Sequence, residues 1–188
     1  NFGIKFNNKN LNCSKILFTC PTNGIMKILG KKNNILNSRL KKIKYMGAIC
    51  VVLIMKKNFS DLYWLNIADE KSPFGGLIEH TNFVDKKNYG NDHIVYLSRY
   101  FDLSDKFAKK SNKEIFEISK KLLKKMNPSF NEQIIKKYFV FMSRSAAVLN
   151  DLNYSKKVIN CKTDLKNIFI ANMMHIYPEE RTYGACSR

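Results

Sequence analysis

Features that mark several familiar classes of protein are missing from this sequence of 188 residues. Its eight glycines include no Gly-x-Gly-x-x-Gly, so the chain carries no dinucleotide-binding fingerprint of its own. Its five cysteines include no Cys-x-x-Cys pair, which argues against a zinc site and favours reduced thiols in a cytoplasmic protein. The longest apolar run, residues 47–55, is far shorter than the roughly 20 residues that span a bilayer. We therefore expect no metal site and no transmembrane segment.

Arginine is scarce in a strongly basic chain. The net charge is +18, yet only five of the 33 basic residues are arginines, and the lysines are spread along the sequence. Reading of bases and bidentate contacts to phosphate both favour arginine. The composition thus predicts no specific nucleic-acid partner. A basic module that binds nucleic acid or anionic lipid stays open as an alternative, and so does peripheral contact with a membrane; a clustered lysine face would favour either.

A folded domain is indicated by what the sequence does contain, since 45% of its residues are hydrophobic and 12% aromatic. Residues 46–55 form an almost unbroken apolar run rich in Val and Ile, which is typical of a buried strand. Residues 76–84 and 93–100 are shorter and mix apolar with polar side chains. Turn-forming clusters separate the three segments. We predict that they are neighbouring antiparallel strands of a meander.

The clearest helix is predicted at residues 113–126. Ser111 and Glu114 have the spacing of a capping box, and an apolar stripe of Ile115, Ile118 and Leu122 faces the predicted sheet. Other predictions are strands at residues 1–6, 11–18, 157–161 and 168–171, a helix at 23–29, a solvated basic connector at 31–44, a turn-like segment at 102–110, and a strand that begins the segment 133–148.

A family resemblance lies in the short polar and aromatic motifs of the central segment. Their order is Tyr63-Trp64-x-Asn66-Ile67-x-Asp69, then Pro73-Phe74, then Ile78-Glu79-His80-Thr81-Asn82, then His93-x-Val95-Tyr96-Leu97-Ser98-x-Tyr100. In this order the segment resembles the substrate-binding domain of the flavin-containing amine oxidase superfamily, in its branch of protoporphyrinogen-oxidase-like or NAD(P)/FAD-dependent oxidoreductases.

The resemblance implies an α+β fold. An antiparallel or mixed sheet with helices on one face would form the substrate-binding domain, and further strands would return to a Rossmann-like FAD-binding domain whose amino-terminal part lies outside this chain. Residues 1–30 would end the first segment of the FAD domain, 31–157 would form the substrate domain, and 158–188 would return to the FAD domain. On this basis we expect the chain to be a fragment, and to bind no FAD by itself.

The implied activity is hydride transfer from a small organic substrate to FAD, with a sugar-nucleotide mutase of the same fold as the alternative. The residues that match cofactor-binding positions of the family are Thr19, Pro21, Asn172, Tyr177, Thr182, Tyr183, Gly184 and Ala185. The candidates for the substrate pocket are Tyr63, Trp64, Asn66, His80, Asn82 and Arg144.

Two limits apply to these residues. Most members of the family have Gly-Asp after the last strand, whereas this sequence has Ala171-Asn172, which can donate hydrogen bonds but supplies no charge. No catalytic residue is assigned, because His80, His93 and His175 stand in no spacing typical of an acid–base or nucleophilic site.

Overall fold

The computed structural model describes residues 2–30 and 33–179 of the chain. Two compact units form: unit 1 contains Asn1–Tyr45 and Ala147–Arg188, and unit 2 is the continuous segment Met46–Ala146. In chain order the strands are β1 (Phe2–Phe6), β2 (Lys9–Cys13), β3 (Ile16–Phe18), β4 (Tyr45–Met55), β5 (Trp64–Asn66), β6 (Gly76–Glu79), β7 (His93–Phe101), β8 (Ile135–Val148) and β9 (Ile168–Ile170). The α-helices are α1 (Thr22–Leu29), α2 (Asn34–Leu40) and α3 (Asn112–Met126). The assignment of the units to cofactor and substrate domains stays a prediction.

Unit 1 begins with a hairpin of β1 and β2. Its turn residues Asn7 and Asn8 both have positive φ angles, 45° and 61°, a conformation that asparagine tolerates better than most residues. The prediction of one strand over residues 11–18 is wrong. The chain bends at Ser14, because β2 pairs with β1 whereas β3 pairs with β9 in a separate sheet.

The second sheet of unit 1 is the parallel pair β3–β9, in which Phe18 lies opposite Ile170. The strand predicted at residues 168–171 is therefore confirmed as β9, and the helix predicted at 23–29 is confirmed as α1. The core of this unit also contains Leu36 and Leu40 of α2. The prediction that residues 31–44 form a solvated connector is wrong, because both leucines are almost fully buried.

The strand predicted at residues 157–161 is absent from the described part of unit 1. This segment is irregular, and only an isolated bridge between Lys162 and Phe169 follows it. Ile159 is nevertheless buried in the core of the unit. The apolar residues that suggested a strand are thus explained by burial of a loop.

Unit 2 is built on a five-stranded sheet with the order β5-β6-β7-β4-β8. The strands predicted at residues 46–55 and 93–100 are confirmed, and they pair antiparallel. The strand predicted at 76–84 ends early, at Glu79, because His80–Asn82 form a turn of 3-10 helix. The meander is also wrong: β4 lies beside β7 rather than β6, so the chain leaves the sheet after β4 and returns at its far edge.

Helix α3 covers one face of this sheet. Its predicted capping box is present: Ser111 N–H donates to Glu114 Oε2 (2.8 Å), and Glu114 N–H donates to Ser111 Oγ (3.3 Å). Ile115 and Leu122 are buried in one core with the inward side chains of β4, β6 and β7, and Ile118 packs against that core. The predicted packing is therefore confirmed. The segment 102–110, predicted as turn-like, contains the 3-10 helix Lys106–Lys109, which buries Phe107. The described residues thus form a mixed α and β structure with mainly antiparallel strands.

Candidate functional site

The sheet of unit 2 has a second face, which points away from α3. Successive side chains of a strand point to opposite faces, and the odd-numbered residues of β4 and β7, such as Val51 and Leu97, lie in the core against α3. The even-numbered residues therefore form the other side, here called the distal face. Its members are Trp64 and Asn66 of β5, Gly76 and Ile78 of β6, Ile94, Tyr96, Ser98 and Tyr100 of β7, and Met46, Ala48, Cys50, Val52 and Ile54 of β4.

Strand register aligns these residues in rows. Trp64 lies opposite Ile78, Ile78 opposite Tyr96, and Tyr96 opposite Val52. With neighbouring strands about 4.8 Å apart, this row crosses roughly 14 Å. It places Trp64, the only tryptophan of the chain, and Tyr96 on one surface, although the two residues are 32 positions apart in sequence.

An aromatic rim borders the row at β5. The ring of Tyr63 lies edge-on to Trp64, with centroids 6.3 Å apart, and 5.0 Å from the ring of Phe83. Trp64 Nε1–H donates to Asn66 Oδ1 (2.8 Å), which holds the indole over the strand. Trp64 is 53% exposed and Phe83 75% exposed. Three of the predicted substrate residues, Tyr63, Trp64 and Asn66, are thus brought together.

His80 joins the same region. Its Nε2 lies 2.6 Å from Tyr89 Oη, and its ring is 5.8 Å from that of Tyr96. Burial raises the pKa of Tyr96, and the neighbouring groups of Tyr89, Cys50 and Tyr63 raise it further. Burial also raises the pKa of the Cys50 thiol. Both groups are therefore neutral at physiological pH and can only form hydrogen bonds of uncharged donors and acceptors.

Asn82 lies in this region, but its side chain is hydrogen-bonded to the backbone. Its Nδ2 donates to the carbonyl oxygens of Ser60 (2.8 Å) and Leu62 (3.0 Å). Glu79, which sequence reasoning did not single out, is fully buried and accepts hydrogen bonds from Phe59 N–H (2.8 Å), Ser60 N–H and Ser60 Oγ–H (2.6 Å). Together they fix the loop that carries Tyr63. A carboxylate placed at the end of an apolar strand was the available signal for Glu79.

Arg144 is not brought together with these residues. It is exposed on β8, whereas Trp64 and Asn66 lie on β5 at the opposite edge of the sheet. Four strand spacings separate the two edges, roughly 19 Å. Arg144 also alternates in step with Tyr138 and Val140 of β8, which pack on the side of α3, so its assignment to the substrate site is not supported by the distal face and stays a prediction.

Two phenylalanines of β8 extend the distal face. Tyr138 stacks on Phe116 of α3, with ring centroids 3.8 Å apart, and Val140 packs against the core. By alternation, Phe139 and Phe141 point to the distal face. They are 46% and 59% exposed. Sequence reasoning missed them because it took residues 133–148 only as a strand, without its faces.

The predicted cofactor residues of unit 1 lie where the parallel strands end. Thr19 follows β3 and is exposed, and Asn172 follows β9 after Ala171. Asn172 Nδ2 donates to Cys20 O (2.7 Å), and its Oδ1 accepts from Met174 N–H (3.0 Å). Asn172 therefore ties the two strand ends together. The carboxyl ends of parallel strands are the edge at which dinucleotides bind in α/β folds.

Helix α1 begins after Pro21, but its first turn is not an open anion site. Thr22 N–H donates to Tyr45 Oη (3.1 Å), and the N–H groups of Gly24 and Ile25 donate to Pro21 O (2.9 and 3.2 Å). This helix therefore offers few free amides to an anion at the strand edge. The other predicted cofactor residues belong to the segment that follows β9 in sequence.

That segment contains Tyr177. Its ring is 45% exposed, lies 5.2 Å from the ring of Tyr154, and lines a small cavity of about 100 Å³. The predicted cofactor residues Thr182, Tyr183, Gly184 and Ala185 lie outside the described residues.

Other kinds of site find no support in residues 2–30 and 33–179. These residues contain no cluster of His, Cys, Asp or Glu that could hold a metal ion, and none of their helices is long and apolar enough to cross a bilayer. His175 has a structural role, since its Nδ1 accepts from Asn172 N–H (3.2 Å) and its Nε2 lies 3.1 Å from Ile159 O. His93 is half-buried at the start of β7, opposite Met55.

Comparison with known proteins gives a fold but no family. No protein-family model and no curated protein match the chain. Similar solved structures include a protein assigned as a protoporphyrinogen oxidase from Exiguobacterium sp. 255-15 (TM-score 0.70, 11% identity, 92% of this chain and 39% of that one). An oxidoreductase from Methanosarcina mazei has a TM-score of 0.62 at 10% identity, and the match covers 89% of this chain and 39% of that one. A reduced UDP-galactopyranose mutase has a TM-score of 0.61 at 12% identity, and the match covers 82% of this chain and 34% of that one.

These similarities show that the chain has a flavoenzyme-like fold. At 10–12% identity they show nothing finer. The chain spans between about a third and two fifths of the length of these proteins, so it corresponds to a part of each.

Proposed function

We propose that this chain is the carboxy-terminal part of an FAD-dependent oxidoreductase, in which the distal face of unit 2 binds a small organic substrate that gives up a hydride to the flavin. The observation that carries the proposal is the aromatic distal face, with its row from Trp64 to Tyr96, in a fold shared with two oxidoreductases and a mutase.

In this proposal the residues of unit 2 have distinct roles. Tyr63, Trp64 and Tyr96 contact the substrate through their rings, while Asn66 and His80 orient it through hydrogen bonds. Asn82 and Glu79 act on the substrate only through the loop that they hold, so they are positioning residues. A ring-lined surface excludes water from the reacting carbon and fixes its distance to the acceptor.

Unit 1 would contribute to the cofactor site along the edge formed by β3 and β9. Thr19, Pro21, Asn172 and Tyr177 lie at or near this edge, and Thr182 to Ala185 follow it in sequence. A bound flavin supplies the two-electron acceptor. The residues of the chain hold the nucleotide and close one side of its site, with Asn172 keeping the two strand ends in register.

This contribution is too small to hold the cofactor alone. Micromolar affinity requires roughly 8 kcal/mol, whereas one exposed helix terminus contributes only about 0.3–1 kcal/mol to a bound anion. Since the first turn of α1 is already hydrogen-bonded within unit 1, most of the affinity must come from a dinucleotide-binding segment elsewhere in the parent protein.

The experiment is an absorption spectrum of the purified full-length parent, with a titration of the 188-residue chain by FAD as the control. The parent is expected to be yellow, and the isolated chain to leave flavin fluorescence unchanged up to micromolar concentrations. A colourless parent that binds no added FAD would contradict the function. Micromolar binding by the isolated chain would contradict the placement of the cofactor site.

The sugar-nucleotide mutase is the second candidate, and the similarity to UDP-galactopyranose mutase favours it. It uses the same cofactor, so the spectrum does not separate the two. The chemistry of the distal face distinguishes the oxidoreductase from the mutase.

A further inference from the structure

The part of the distal face that β4 to β7 form carries no charged side chain. On β8, Lys137 alternates in step with Phe139 and Phe141 and therefore lies at the edge of the face. Every Asp, Glu, Lys and Arg of β4 to β7 lies off this face, although 26% of the residues of the chain are charged and its net charge is +18. Glu79 and Arg99 are the charged residues of these strands, and both have odd numbers. Arg99 points to the core side, where it is bonded to Asp105 and stacks over Phe107.

The face has few polar atoms, and those described next are neutral or already hydrogen-bonded. The indole N–H of Trp64 already donates to Asn66. Tyr96 and Cys50 are neutral because their pKa values are raised, and Ser98 adds one hydroxyl group. A phosphate or carboxylate placed over β4 to β7 would lose its water without gaining a cationic partner, which is unfavourable. A neutral apolar molecule would instead bury hydrocarbon surface against the rings, which is favourable.

The face is also broad. It runs from the indole of Trp64 to the rings of Phe139 and Phe141, roughly 19 Å across five strands, and its centre consists of Val52, Ile54 and Tyr96. Tyr100 closes one end of β7 with a ring that is 56% exposed.

We infer that the distal face takes a neutral, largely apolar and flat or elongated organic molecule, and not a nucleotide, a sugar phosphate or a carboxylate. This inference rests on the proposed function, of which it names the substrate class. It also disfavours the mutase, because a nucleoside diphosphate needs several cations, whereas β4 to β7 present none on this face and β8 adds only Lys137 at its edge.

Trp64 makes the inference testable, since the only tryptophan of the chain lies on the face itself. Three probes are titrated into the 188-residue chain while Trp64 emission is followed: N-phenyl-1-naphthylamine, its sulfonated analogue 1-anilinonaphthalene-8-sulfonate, and UDP. The first two share one ring system and differ in a single negative charge. We expect the neutral probe to quench Trp64 at least tenfold more tightly than the sulfonate, and UDP to have no effect.

Variants locate the binding. Val52→Lys puts a charge at the centre of the face and should weaken the neutral probe at least tenfold, while Leu152→Lys, at an 87% exposed position of unit 1, should leave it unchanged. Tyr100→Lys changes an exposed ring at the end of the face, so it reports even where Val52→Lys fails to fold. Tighter binding of the sulfonate or UDP, binding of the neutral probe that survives Tyr100→Lys, or no binding at all overturns the inference. None of these results depends on flavin, so they are separate from the test of the parent.

Discussion

Gly47 and Phe101 lie opposite each other in the β4–β7 pair, and the ring of Phe101 folds across the glycine. A Cβ atom at position 47 would overlap Cζ of the Phe101 ring. Phe101 is only 2% exposed and lies in the core against α3. The absence of a side chain at position 47 is therefore what allows this ring to be buried.

Gly47→Ala should reduce the free energy of unfolding by about 1–3 kcal/mol, because the buried ring must leave its rotamer or the strands must shift. Urea denaturation followed by circular dichroism measures this. Gly75→Ala is the matched control, since a Cβ there meets nothing within 4 Å. Equal midpoints for the two variants would contradict the packing.

Glu79→Gln should loosen the loop that carries Tyr63. The amide replaces one accepting oxygen by a donor that faces the N–H groups of Phe59 and Ser60, and each hydrogen bond to a charged group contributes about 1.5–3 kcal/mol. Faster tryptic cleavage after Lys56 and Lys57 is the readout. Glu70→Gln, at an exposed carboxylate, should leave cleavage unchanged, and cleavage at the wild-type rate in Glu79→Gln would refute the role of Glu79.

Tyr154 should make stability fall at high pH. Burial, together with smaller contributions from Tyr45 and Asp151, raises the pKa of Tyr154 to about 12, and its hydroxyl donates to Met174 O (2.9 Å). Because the folded pKa is above the unfolded value of about 10, the folded state holds the proton more tightly. The contribution of Tyr154 to the free energy of unfolding is therefore fully present below pH 10 and is lost as the pH rises towards 12.

Tyr154→Phe is the comparison for that loss. It should be less stable at pH 8, by about 1 kcal/mol for the missing hydrogen bond, and should lose less stability than the wild type between pH 10 and 12. Urea unfolding at several pH values measures both. Parallel curves for the two proteins would show that Tyr154 does not titrate as stated.

Binding to duplex DNA should be weak, should fall steeply with added salt and should show no sequence preference. Part of the lysine surface of α3 is paired within unit 2, since Lys120 contacts Glu117 and Glu132, and Lys125 contacts Asp69. Fluorescence anisotropy with two duplexes of different sequence tests this at low and physiological salt. Tight, selective binding at physiological salt would favour a nucleic-acid module over the oxidoreductase.

Elements with local signals could be predicted from the sequence. The short apolar run of β4, rich in Val and Ile, indicates a buried strand, and the mixture of apolar and polar residues in β7 indicates a strand with two different faces. The capping box at Ser111 fixes the start of α3 because both partners lie within one turn. The resemblance likewise led to Tyr63, Trp64 and Asn66, which the structure places on one strand edge.

Features that depend on distant partners could not be predicted. Whether β4 lies beside β6 or β7 is decided by the whole sheet, and so is the row that joins Trp64 to Val52. The burial of Leu36 and Leu40 depends on the core of unit 1, which the basic composition of residues 31–44 conceals. Arg144 was grouped with Trp64 by the family resemblance, whereas the strand order puts β8 and β5 at opposite edges of the sheet.

The interlocking of β3 with β9 has a consequence for the order of synthesis. Cys20 and Asn172, which are hydrogen-bonded across these strand ends, lie 152 residues apart, while unit 2 is one continuous stretch between them. On the ribosome the strands and α3 of unit 2 can meet as soon as they emerge. The first segment of unit 1 must wait for its second, with β3 exposing an unpaired edge in the meantime. The nascent chain is thus most vulnerable to misassembly around β3, during the time in which β9 has not yet been made.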